Sequence, residues 1–99
     1  MTETELRRAV IAAARRLGLL VHHCTAAERC IGKGLPDLII VGPGGLAVAE
    51  LKSEDGNTTE SQDDWLRTLA IAGVHVYLWR PTSWTSGRIE RVLNSLALG

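Results

Sequence analysis

The sequence predicts an α/β domain in which helices cover both faces of a small mixed sheet. Three observations carry that prediction. Two apolar runs, Leu38-Ile39-Ile40-Val41 and Leu46-Ala47-Val48-Ala49, flank Gly42-Pro43-Gly44-Gly45 and read as a β-hairpin. Both faces of this hairpin are apolar, so both need cover from helices. Helical periodicity precedes and follows the hairpin, and a strand-helix-strand passage after it predicts a right-handed crossover with a parallel pairing. The element order is α-β-β-β-α-β-α within 99 residues, a length suited to a single domain spanning 1–99.

Residues 3–17 form the first helix, with Leu6, Val10, Ala13 and Leu17 on one stripe. Thr2-Glu3-Thr4-Glu5 fits a capping box that occupies Glu5, whereas Glu3 extends the apolar stripe toward the sheet. Arg7, Arg8, Arg15 and Arg16 fall mostly off that stripe, on a solvated face. Residues 19–25 form a short strand containing His22, His23 and Cys24. Adjacent histidines point to opposite faces of a strand, and no second paired motif completes a zinc site. Residues 26–35 form a loop whose Arg29 and Lys33 suit either phosphate contact or plain solvation. The hairpin comes next, then a polar loop over 53–59 whose acids lack the alternating spacing of a calcium loop.

A second helix starts at Thr59 or Ser61 and runs to Ala72, with Gln62 placed to close another capping box. Residues 74–79 form the last strand, with Val74, Val76 and Leu78 alternating against His75, Tyr77 and Trp79. Pro81 stops it. After a Ser/Thr-rich loop, Ile89, Val92, Leu93 and Leu96 mark a final amphipathic helix over 88–98.

Apolar content of 45% and charged content of 22% are those of an ordinary soluble protein. No membrane span or signal-peptide core is visible, which predicts a cytoplasmic protein in which Cys24 and Cys30 are reduced thiols. The zero net charge is unevenly spread: residues 1–36 carry +3, residues 37–64 carry −6 and residues 65–99 carry +3. An acidic middle between basic flanks suits a cation site with a polyanion on its rim, and also suits ordinary surface.

The hairpin holds the sharpest chemical signal. A turn at residues 42–45 sets Val41 opposite Leu46, and the same register sets Asp37 opposite Glu50, with Cβ atoms roughly 4.5–5.5 Å apart. Alternation puts Lys52 on the face of Glu50. Two carboxylates a hairpin-width apart form a hard-oxygen site of the kind Mg²⁺ or Mn²⁺ uses, and burying such charge is costly without a metal or partner. A salt-bridged structural cluster is the plain alternative.

Pro36-Asp37, a gap of twelve residues and then Glu50-Leu51-Lys52 resembles the PD-(D/E)XK nuclease signature. The wider pattern is similar to its VRR-NUC branch: Gly34-Leu35-Pro36-Asp37-Leu38-Ile39, Ala49-Glu50-Leu51-Lys52, Ser61-Gln62, Trp65 and Gly73, with an early Glu3-x-x-Leu6. The similarity spans roughly residues 3–80. It implies a restriction-endonuclease-like αβββαβα core with a mixed four-stranded sheet, and a Mg²⁺- or Mn²⁺-dependent DNA endonuclease. By that resemblance Asp37, Glu50 and the backbone carbonyl of Leu51 would bind the ion and Lys52 would orient the attacking water. Glu3 would hold a second ion or its water, and Gln62 would support the site. Small stand-alone members are similar to dimeric enzymes that cut branched DNA such as four-way junctions, which implies a homodimer here. Arg7, Arg8, Arg29 and Lys33 are then candidate DNA phosphate contacts. Two other classes compete: a non-catalytic nucleic-acid-binding module that keeps the nuclease fold, and an interaction domain whose carboxylates are merely paired with Lys52.

Overall fold

The computed structural model describes residues 1–23 and 33–98. Eight elements follow in order: α1 (Glu3–Arg16), β1 (Leu20–His23), β2 (Leu38–Gly42), β3 (Gly45–Leu51), α2 (Glu60–Ile71), β4 (His75–Trp79), α3 (Pro81–Thr85) and α4 (Arg88–Ala97). The strands form one mixed sheet in the order β1-β2-β3-β4. β1, β2 and β3 are antiparallel neighbours, while β4 runs parallel to β3 after the α2 crossover.

The register is the expected one. Leu38 pairs with Ala49, Val41 with Leu46 and Gly42 with Gly45, leaving Pro43-Gly44 as a two-residue turn. That turn docks on the end of α4, where the Gly44 N–H donates to the Leu96 carbonyl at 2.8 Å. A side chain on Gly44 would collide with the carbonyls of Ser95 and Leu98, which is why glycine stands there.

The two faces of the sheet are covered unequally. Leu38, Ile40, Ala47, Ala49 and Leu51 are buried with Leu6, Val10 and Ala14 of α1 and Ile89, Leu93 and Leu96 of α4. Burying such large aliphatic chains, at about 25 cal/mol per Å² of apolar surface, is the main driving force of the fold. The expectation that helices cover the opposite face holds only in part. α2 buries no residue fully. Across β1, β2 and β3, among the described residues, Leu20 is 72% and Leu46 38% exposed on either side of half-buried Val41.

Two further details differ from the sequence reading. On β4 it is Trp79 that enters the main core, with Tyr77 stacked on it at 5.3 Å between ring centroids, while Leu78 is exposed. The stretch expected to be a Ser/Thr-rich loop contains α3. Pro81 at its first turn fits a helix start as well as a strand stop, and Ser83 Oγ accepts from the Arg80 N–H at 3.1 Å. Among the described residues no helix is long and apolar enough to cross a membrane. Cys24 and Cys30 lie outside the described residues.

Candidate active site

Asp37 immediately precedes β2 and Glu50 is the penultimate residue of β3, so the hairpin register brings their carboxyl groups together. The Leu51 N–H donates to Asp37 Oδ2 at 2.9 Å, fixing the first acid to the strand that carries the second. Lys52, directly after β3, places Nζ 3.8 Å from Glu50 Oε2 with only 16% of its side chain exposed. Asp37, Glu50 and Lys52 therefore meet in space as the spacing anticipates.

Glu50 is 2% exposed. Its Oε2 accepts from Gln62 Nε2 at 3.2 Å, whereas its Oε1 is buried and has no hydrogen-bond partner among the described residues. Burial pushes the Glu50 carboxyl up to about 8; the charge of Asp37 pushes the same way, and Lys52 only partly opposes them. Glu3 adds a smaller upward push, so its charge reaches the site. In physical terms, two acids crowd one pocket with one lysine, and the inner acid retains its proton near neutral pH.

The same interactions explain why Gly34, Ser61, Gln62 and Trp65 accompany the acids. Gly34 has φ +90°, and a Cβ there would lie 2.5 Å from the Ser61 carbonyl carbon. The segment leading to Asp37 thus rests on the first turn of α2. Trp65 Nε1 donates to the Lys33 carbonyl at 2.9 Å and bolts the same two pieces together. Gln62 closes the α2 capping box, its Oε1 accepting from the Thr59 N–H at 2.9 Å. That bond orients the amide so that its NH₂ faces Glu50, and one side chain both caps the helix and serves the site. Gly34→Ala is expected to cost about 3 kcal/mol, because it combines a left-handed backbone strain with a backbone clash. A thermal melt lowered by less than roughly 4 °C would show that the loop yields instead.

α1 contributes differently from expectation. Glu5 closes the capping box, with its Oε1 accepting from the Thr2 N–H at 2.9 Å. Glu3 accepts from Arg7 Nη2 at 2.9 Å, and the same nitrogen lies 3.7 Å from Asp37 Oδ1. Arg7 does not lie on a solvated face as expected: its side chain is 18% exposed and its guanidinium lies 3.7 Å from Asp37 Oδ1, just before β2. His23 is also near: burial and the charge of Arg7 lower its pKa, against the pull of Asp37. Neither role was read from the sequence, although the i, i+4 spacing of Glu3 and Arg7 signals such a pair. Arg8 and Lys33 are exposed, and Arg29 lies outside the described residues.

The donor set suits a hard divalent cation. It offers carboxylate oxygens, one of them buried without a partner, on a rigid hairpin. Among the described residues no three His, Cys, Asp or Glu side chains converge as a metal cluster. The acidic set is a pair, Asp37 with Glu50, and Glu3 is held to one side by Arg7.

The chain matches no protein-family model and no curated protein. It is similar in structure to a solved protein described as "VRR_NUC domain protein", with a TM-score of 0.70 and 21% identity over 96% of this chain and 90% of that one. The chain has the VRR-NUC fold, with the α/β, restriction-endonuclease-like core that its motifs led us to expect.

Proposed function

We propose that this chain is a Mg²⁺- or Mn²⁺-dependent endodeoxyribonuclease that hydrolyses phosphodiester bonds in branched DNA, such as four-way junctions, as a cytoplasmic homodimer. The observation that carries the catalytic reading is the meeting of Asp37 and Lys52 at the buried Glu50 carboxyl, one of whose oxygens has no hydrogen-bond partner among the described residues. The shared fold with a VRR_NUC domain protein supports it.

In this reading Asp37, Glu50 and the Leu51 carbonyl would hold the ion. When bound, the ion would lower the pKa of its water and offset charge on the phosphate. The remaining work belongs to the chain. The Leu51 amide keeps Asp37 in place, and the Gln62 amide keeps Glu50 turned into the site. Lys52 presents a fixed ammonium beside the acids, where it orients the water nucleophile and stabilises charge developing on the scissile phosphate. Arg8, Arg29 and Lys33 are offered to flanking phosphates, each contributing little and all sensitive to salt.

The homodimer is supported by the apolar side chains of Leu20 and Leu46, exposed on either side of half-buried Val41 among the described residues. A second copy meeting them across a two-fold axis would present two sites to a two-fold junction.

The test is an assay of four-way-junction and linear duplex DNA with Mn²⁺, with Mg²⁺ and with chelator, on a sample whose mass is measured by light scattering. Junction cleavage that chelator abolishes, by a protein of twice the chain mass, is the expected result. DNA binding with no cleavage under any metal would favour a non-catalytic binding module. A monomer that cleaves would retain the chemistry and remove the dimer.

A further inference from the structure

The positive charge at the centre of the site does not come from Lys52 alone. Arg7 Nη2 is 2.9 Å from Glu3 Oε2 and 3.7 Å from Asp37 Oδ1, so one guanidinium nitrogen spans the helix acid and the hairpin acid. We propose that Arg7 is a built-in cation that fills the position between Glu3 and Asp37, so that the site takes a single divalent ion, held by Asp37 and Glu50. This inference rests on the metal-dependent reading given above.

Burial argues against an ordinary phosphate contact. The Arg7 side chain is 18% exposed, and its Nε is buried without a hydrogen-bond partner among the described residues. A guanidinium so desolvated needs compensation, which the two carboxylates provide. The pair is encoded locally, because Glu3 and Arg7 are one turn apart on α1 in the favourable acid-first order. An arginine keeps its charge at any working pH and presents a planar fork suited to two carboxylates, so it is a permanent occupant.

The charge balance points the same way. Glu3, Asp37 and Glu50, once all are ionised, stand against Arg7 and Lys52, leaving one negative charge. One divalent ion converts this to one positive charge facing a phosphate. A second ion would gather three positive charges in the same pocket before any DNA arrives. Glu3 is then a positioning residue that holds Arg7 against Asp37, and it is not a metal ligand.

Isothermal titration of Mn²⁺ into the DNA-free protein at pH 8, beside Arg7→Met and Glu3→Gln with thermal melts as a fold check, decides the matter. The wild-type chain is expected to bind one ion. Arg7→Met is expected to bind it about tenfold tighter, or to accept a second, because a unit charge a few ångströms away is removed. Glu3→Gln is expected to keep a stoichiometry of one ion, since a positioning residue supplies no ligand, with an affinity lowered only as far as the loss of an outer-shell partner lowers it. Two ions in the wild type, unchanged binding in a folded Arg7→Met, or no measurable ion bound by a folded Glu3→Gln each overturn the proposal. If Arg7→Met does not fold, the wild-type stoichiometry and the Glu3→Gln arm decide alone. No Mn²⁺ binding by the wild type would sink the metal-dependent reading itself, and this inference with it.

Discussion

Lys52→Ala is expected to lower the cleavage rate by about 10²–10³-fold while leaving divalent-ion binding intact or slightly tighter. The two effects separate because Lys52 is not an oxygen donor. Its ammonium lies 3.8 Å from Glu50 Oε2 and opposes the upward push on that carboxyl. In the proposed mechanism, removing it would delete a charge aimed at the reacting phosphate, where a pre-placed donor acts most strongly on the transition state. It also deletes a competitor of the metal for Glu50, so ion affinity should not fall. Asp37→Ala is the matched control. It removes a proposed ligand and also frees the Leu51 N–H, so binding and cleavage should fall together. Single-turnover rates at saturating Mn²⁺, with titration calorimetry on the same samples, measure the split. Equal losses of binding and rate in Lys52→Ala would place the lysine in the structure of the site and not in the reaction.

That Lys52 meets Asp37 and Glu50 was legible because strand pairing is nearly digital. Once Gly42-Pro43-Gly44-Gly45 is taken as the turn, every opposite pair follows, and Asp37 faces Glu50. Helix ends were legible for a similar reason: Thr2 with Glu5, and Thr59 with Gln62, are local patterns that close on themselves. What depends on packing between distant elements was not legible. The position of Arg7 depends on how α1 lies against the start of β2, a distance that no periodicity encodes. The inward turn of Trp79, with Leu78 outward, depends on α2 covering one sheet face only partly, whereas alternation alone is indifferent to which half faces in. Gln62 shows a subtler limit. A capping role and an active-site role looked like competing explanations for one residue, yet the cap is what aims the amide at Glu50.

Glu50→Gln gives the sharpest stability test of the same pocket. The Glu50 carboxyl is raised to about 8 from an ordinary value of 4.5, chiefly by burial and then by Asp37. Between those values the folded metal-free chain binds a proton that the unfolded chain releases. Stability from this group is therefore complete below about pH 4.5 and is lost as pH rises through about 8. A glutamine keeps the shape, carries no charge and cannot be deprotonated, so the variant should lack this pH dependence. At pH 5 the two proteins should melt at similar temperatures; at pH 9 without metal the variant should melt higher, by roughly 5 °C or more. Mn²⁺ at pH 9 should then raise the wild-type melt and leave the variant nearly unmoved, because the proposed ion would pair with the ionised, buried carboxylate that only the wild type carries. Parallel pH profiles for the two proteins would mean that water already reaches Glu50, and the buried oxygen without a partner would lose its standing as the mark of a cation site.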